Sequence, residues 1–184
     1  MEMIGVGRWV HPESRATMLR SLAESLPFTD GAFDRVICQG SLDHFADARE
    51  FMREAARVTK PDGRIVIALA NFDSVSCRIG KLAFRAKRRL GRPLPPGRPY
   101  WEIPEDHNVR GTLRFVRGLG GGELALDRCF GISMLWLAPR WGAVLDRMPQ
   151  RAASTIWRGL DRLARRRSQH ADMIVSVWKK RERR

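Results

Sequence analysis

Between Phe33 and Ala70 two apolar runs enclose a helical repeat, and no other feature constrains the fold of this chain as much. Phe33-Asp34-Arg35-Val36-Ile37-Cys38 follows the turn Thr29-Asp30-Gly31 and is rich in apolar and β-branched residues, so it reads as a buried strand. Asp47 is placed to cap a helix in which Phe51, Met52, Ala55, Ala56 and Val58 recur at helical spacing until Lys60-Pro61-Asp62-Gly63 stops it. Arg64 to Ala70 is a near-continuous apolar run, the pattern of a strand covered on both faces. Strand, helix and strand in this order predict a right-handed βαβ unit in a mostly parallel sheet.

Beyond Ala70 the pattern loosens. Residues 78 to 90 place Ile79, Leu82, Ala83, Ala86 and Leu90 on one helical face with Arg and Lys around the rest, and the Pro/Gly-rich stretch from Arg92 to Pro99 ends that helix. Thr112 can cap another helix through about Leu119, which Gly120-Gly121-Gly122 breaks before a strand from Glu123 to about Met134. The glycines from Gly118 to Gly122 follow a helix instead of preceding one, so they read as a helix stop and not a phosphate cradle. Residues 154 to 167 repeat the basic amphipathic theme through Ile156, Trp157, Leu160, Leu163 and Ala164. A last strand, Met173 to Trp178, leads into a basic tail, 179–184, expected to fray.

At 184 residues and 43% hydrophobic content the chain is long enough for one domain, 1–184, and short for two. Cys38, Cys77 and Cys129 are too irregularly spaced for a zinc site or a disulfide framework, so no metal is expected and the thiols read as buried in a reducing cytoplasm. No apolar run approaches the length of a membrane span, and the first residues lack a secretory pattern, so a cytoplasmic protein is expected. The net charge of +14 is concentrated. Residues 78–98 hold eight Arg/Lys and no acid, while 151–184 hold eleven against three acids, which leaves the other 129 residues at −2. Such clusters attract phosphate-bearing partners, or they serve as a solvated face.

Ala23-Glu24-Ser25-Leu26-Pro27-Phe28 with Asp30-Gly31-Ala32-Phe33-Asp34-Arg35-Val36 resembles the AExLPFxDGxFDxV signature of class I S-adenosylmethionine-dependent small-molecule methyltransferases. Leu42-Asp43-His44-Phe45-Ala46-Asp47 is similar to that family's LxHxxD segment, and Glu54 to Arg64 to its ExxRVLKPGGR. The resemblance is dense from about residue 21 to 70 and weaker beyond. It implies an α/β, Rossmann-like methyltransferase fold, here a partial one whose first strand and glycine-rich loop are missing, with residues 71–110 and 135–170 as variable basic and helical insertions. It further implies S-adenosyl-L-methionine as cofactor and a small-molecule acceptor, with Leu22, Ala23 and Glu24 facing the adenine and Gln39 and Gly40 beside the methionine part. Two positions depart from the family: Leu22 stands where an adenine-binding Asp is usual, and Gly7 where a ribose-binding acid is usual. Gly5-Val6-Gly7 lies too close to Ala23 to be the family's glycine loop.

His44 lies just beyond a strand end, where it would line the acceptor site or act as a base, or else serve as a helix-entry histidine bonded to backbone. Asp43 beside it could orient it. His107, within Glu105-Asp106-His107-Asn108, either faces the same pocket as a substrate-binding residue or belongs to a surface loop. The tryptophans at 136, 141 and 157 read as core, or, together with the two basic helices, as a surface that touches anionic membrane or a long apolar substrate. Nucleic acid fits less well, since the basic segments contain few aromatics for base stacking. Two further readings stand beside methyl transfer: a truncated, non-catalytic methyltransferase-like chain, and a basic module for membrane surfaces or polyanions.

Overall fold

The structure, a computed structural model, describes residue 13 and residues 16–138 and 140–181. Its elements are β1 (Phe33–Gln39), α1 (Ala48–Val58), β2 (Thr59–Ala70), α2 (Val75–Arg89), α3 (Leu113–Gly118), β3 (Leu124–Ile132), α4 (Trp141–Asp146), α5 (Gln150–Arg166) and β4 (Met173–Lys180). Short 3-10 turns occupy Leu42–His44 and Ser168–His170. The strands form one sheet in the order β1-β2-β4-β3.

β1 and β2 pair in parallel, as the βαβ reading requires, but β4 is antiparallel to both β2 and β3. The sheet is therefore mixed and not mostly parallel by pairing: β1, β2 and β3 share one direction, and the last strand is inserted between two of them with the opposite sense. The helical connections fix the direction of β1 and β2, whereas β4 follows the 3-10 turn Ser168–His170 and nothing in its own sequence announces its sense. β2 also begins earlier than expected. Its pairing jumps from Phe33↔Thr59 to Arg35↔Arg64, so Lys60 to Gly63 bulge out between the two registers.

The main core lies on one face, where alternate strand residues meet α1 and α3. Ile65, Ile67, Leu69, Ile174 and Trp178, each 0–1% exposed, pack against Phe51, Met52, Ala55, Val116 and Leu119. Each such side chain contributes about 1.5–3 kcal/mol on burial, so this face dominates the stability of the domain. A smaller cluster of Met134, Ala164 and Ala171 forms beneath α5. β1 is not the buried strand its apolar run suggests, because only Cys38 is buried and Ile37 is 68% exposed. Its Val36 and Cys38 side joins the core, while Ile37 on the other side is exposed at the sheet edge.

Asp47 caps α1 as expected, its carboxylate accepting from the Arg49 and Glu50 amides, and those bonds hold its carboxyl below the usual range. Residues 24–31 run alongside α1. Glu24 Oε1 accepts from Asp47 N (3.2 Å) and Glu54 Oε1 from Leu26 N (2.8 Å), and Arg57 donates to the carbonyls of Leu26 and Phe28 and to Asp30. The Arg57 guanidinium beside Glu54 holds that carboxyl below the ordinary glutamate range. α2 starts at Val75, three residues before the sequence-based estimate, because the Ser74 hydroxyl accepts from Cys77 N. α5 likewise begins four residues early, and α4 was not expected at all. Within the basic tail, Lys179 and Lys180 belong to β4 and Arg181 N donates to Glu123 O (2.7 Å), while residues 182–184 lie outside the described ones. No helix among the described residues is long and apolar enough to cross a membrane.

Candidate active site at the strand tips

The carboxyl ends of β1 and β2 lie at the same end of the sheet, and three segments converge there. Gly40 turns away from β1 with φ 61°, donates its amide to Ala68 O (2.9 Å), and has no heavy atom within 4 Å of where a Cβ would stand. Gln39 beside it is exposed. The 3-10 turn that follows buries Leu42 and Asp43 and leaves His44 at the surface. Glu24, bonded to Asp47 N, brings the 22–24 segment to this end as well, where Leu22 is 72% exposed and Ala23 packs on the core.

The third segment is the loop before α3. Asn108 N donates to Asp43 O (2.6 Å), and Asn108 Nδ2 donates to Phe45 O (3.0 Å) and His44 O (3.3 Å), which straps the loop to the turn after β1. Gly111 lets the loop pass over the tip of β2, since a Cβ there would meet Ala70 O and the Leu69 side chain. Phe72 N donates to Gly111 O (3.0 Å). Asn71, 2% exposed, fixes the same tip to the chain before β4 through Nδ2 bonds to Ala171 O (2.8 Å) and Gln169 O (3.1 Å).

These straps create a pairing between histidines and acids that crosses between the segments. Asp43 does not orient its neighbour His44; its Oδ2 lies 3.0 Å from Nδ1 of His107, off the line of an aligned hydrogen bond. Both side chains are largely buried, and Asp43 Oδ1 has no hydrogen-bond partner among the described residues. His44 Nδ1 instead approaches Asp106, 3.2 Å from its carbonyl and 3.4 Å from its carboxylate. The two imidazoles meet edge to face at 4.4 Å. His107 is thus not a surface-loop histidine, and Asp106 and Asn108 belong to the cluster although neither was singled out from sequence; the Glu105-Asp106-His107-Asn108 run was the available signal.

Asp43, His44 and His107 each offer a ligand atom within 4.8 Å of the others, so the set is compact enough for a cation as well as for proton transfer. Cys38, at the end of β1, takes no part as a thiolate: burial, with the Asp43 carboxylate adding to it, pushes its thiol up to about 11. A cavity of about 900 Å³ opens at the opposite end of the sheet among Asp30, Gly31, Arg57, Pro61 and Leu124. It faces the amino ends of the parallel strands, whereas ligands of such sheets bind at the carboxyl ends, so the smaller constellation at the tips is the better candidate.

Parallel strands joined through a helix, with an open glycine turn and a buried acid at their carboxyl ends, define a Rossmann-like α/β domain. Residues 2–67 match the family described as a methyltransferase domain. Over that stretch the chain is similar to methyltransferases. It is 51% identical to the uncharacterized methyltransferase YcgJ of Bacillus subtilis over 45 residues, 24% of this chain and 18% of that protein. It is 28% identical to the ubiquinone biosynthesis O-methyltransferase of Caulobacter vibrioides over 132 residues, 71% of this chain and 47% of that protein. The PH0226 protein of Pyrococcus horikoshii shares the fold with a TM-score of 0.54 at 17% identity, over 97% of this chain and 67% of that one. The chain spans less than half the length of these two curated relatives.

Proposed function

We propose that this chain carries the acceptor side and part of the cofactor cradle of a methyltransferase that modifies an oxygen atom of a small molecule. The carrying observation is the buried Asp43 carboxylate against His107 at the strand tips, with one carboxylate oxygen still without a partner among the described residues. S-adenosylmethionine, when bound, supplies a methyl group on an activated sulfonium, so the protein's task is alignment, exclusion of water and proton handling.

The residues present fit that cofactor. The unobstructed backbone at Gly40 with the exposed Gln39 suits the methionine part, and Leu22 offers an exposed apolar side chain to an adenine ring two residues from Glu24. His107 takes the proton of the acceptor hydroxyl, and the Asp43 carboxylate stabilises the imidazolium that forms, so neither charge stays buried alone. His44, edge to face with His107 and tied to Asp106, forms the wall that orients the acceptor. The name of the Caulobacter relative, an O-methyltransferase of ubiquinone biosynthesis, supports oxygen as the atom methylated and a quinone-type precursor as the acceptor.

Incubation with labelled S-adenosylmethionine and hydroxylated quinone precursors tests this reading. Label should pass to the acceptor oxygen, and His107→Asn should lower turnover about 100-fold with cofactor affinity retained. Undiminished turnover in that variant would remove His107 from the reaction, and no transfer to any such acceptor would remove the O-methylation reading.

A further inference from the structure

α2 does something unusual for a helix in a folded domain: the face that its sequence marks as apolar stays exposed along its length. Ile79, Leu82, Ala83, Ala86 and Leu90 recur at i, i+3, i+4, i+7 and i+11, one continuous stripe, and all are exposed, Leu82 at 63% and Leu90 at 68%. The helix is held instead by the side that carries Ser76, Cys77, Gly80 and Phe84, the last edge to face with Trp101. Ser76, Cys77 and Gly80 are its buried positions; Tyr100 donates to Ser76 O (2.7 Å), and a Cβ on Gly80 would run into Tyr100 and Trp101. The helix then projects past this anchor, with every residue from Arg85 to Leu90 exposed, and Leu94 extends the apolar surface beyond its end.

The charge around the stripe chooses the occupant. Residues 78–98 hold eight Arg/Lys and no acid. On the helical wheel Arg78, Arg85 and Arg89 flank the stripe on one side and Lys87 on the other, which lets their cations reach outward at the level of the leucines. A protein partner for such a face would have to bring a matching acidic rim around an apolar groove. An anionic bilayer supplies both as a continuum, with acyl chains for the stripe and headgroup phosphates for its borders.

We propose that α2, with Leu94, is a membrane-docking face that seats its leucines among the acyl chains of anionic phospholipid and its flanking cations against the phosphates. The inference uses none of the strand-tip residues and stands whether or not the chain transfers a methyl group.

Co-sedimentation with phosphatidylcholine vesicles, with and without phosphatidylglycerol, tests it in the absence of cofactor and acceptor. Binding should be at least about tenfold stronger to the anionic vesicles and should weaken as salt rises from about 0.1 to 1 M, over which the screening length falls from about 10 to 3 Å. Leu82→Asp with Leu90→Asp should lower binding by about tenfold or more while the far-ultraviolet spectrum and melting temperature hold, since both side chains face outward. Arg85→Ser with Arg89→Ser should lower anionic binding selectively. Equal binding to neutral and anionic vesicles, undiminished binding by both variants, or a wild-type dimer that Leu82→Asp with Leu90→Asp converts to monomer would each overturn the proposal.

Discussion

α2 and α5 present nearly the same sequence pattern and meet opposite fates. Both are amphipathic and cationic. In α5 the predicted stripe lies against the protein: Ala164 is fully buried, and Ile156, Trp157 and Leu160 are partly covered, with only Leu163 substantially exposed. In α2 the corresponding stripe is bare. The difference lies in what each helix is offered. β3 presents Gly131, where a Cβ would meet the carbonyl of Ala164 and the side chain of Ala171, so helix and strand approach closely and the stripe of α5 is drawn in. α2 is offered the loop carrying Tyr100 and Trp101, which takes the side with Ser76, Gly80 and Phe84. Periodicity therefore decides that a segment is helical and which face is apolar, and the partner's backbone decides whether that face is used for folding.

Two substitutions press on this contrast. The larger effect belongs to Gly131→Leu, which forces α5 off β3 and should cost about 3 kcal/mol in urea denaturation; an unchanged midpoint would mean that α5 is not seated there. A smaller effect sharpens the comparison directly. Leu160→Ala should cost about 1–2 kcal/mol for a partly buried contact, and Leu82→Ala should stay within about 0.5 kcal/mol. Equal costs at the two positions would show that the stripe of α2 also contributes to folding, and the distinction between the helices would fail.

The parts legible in the sequence are those set by near neighbours. The cap at Asp47, the stripe from Phe51 to Val58, the buried run from Ile65 to Leu69 and the cap at Thr112 all follow from local chemistry, and the structure has each of them. The strand-tip site was half legible. Gln39 ends β1 and Gly40 and His44 follow it, so the βαβ pattern places them at the tip of the sheet. The pairing of Asp43 with His107 was not legible, because 64 residues separate them and the clamp depends on Asn108 reaching three backbone groups and on Gly111 clearing Ala70. The antiparallel sense of β4 was hidden for a related reason. An apolar strand of eight residues reads the same in either direction, and only its neighbours β2 and β3 fix which it takes.

The central claim is that the tips of β1 and β2, and not the large cavity at the other end, receive the nucleoside. Backbone amide shifts followed during titration with S-adenosylhomocysteine test it most directly. Changes centred on Glu24, Gln39, Gly40, His44 and Asn108 are predicted, with Gly31, Gly121 and Leu124 unmoved. Changes centred on that second group, or none at millimolar ligand, would contradict it.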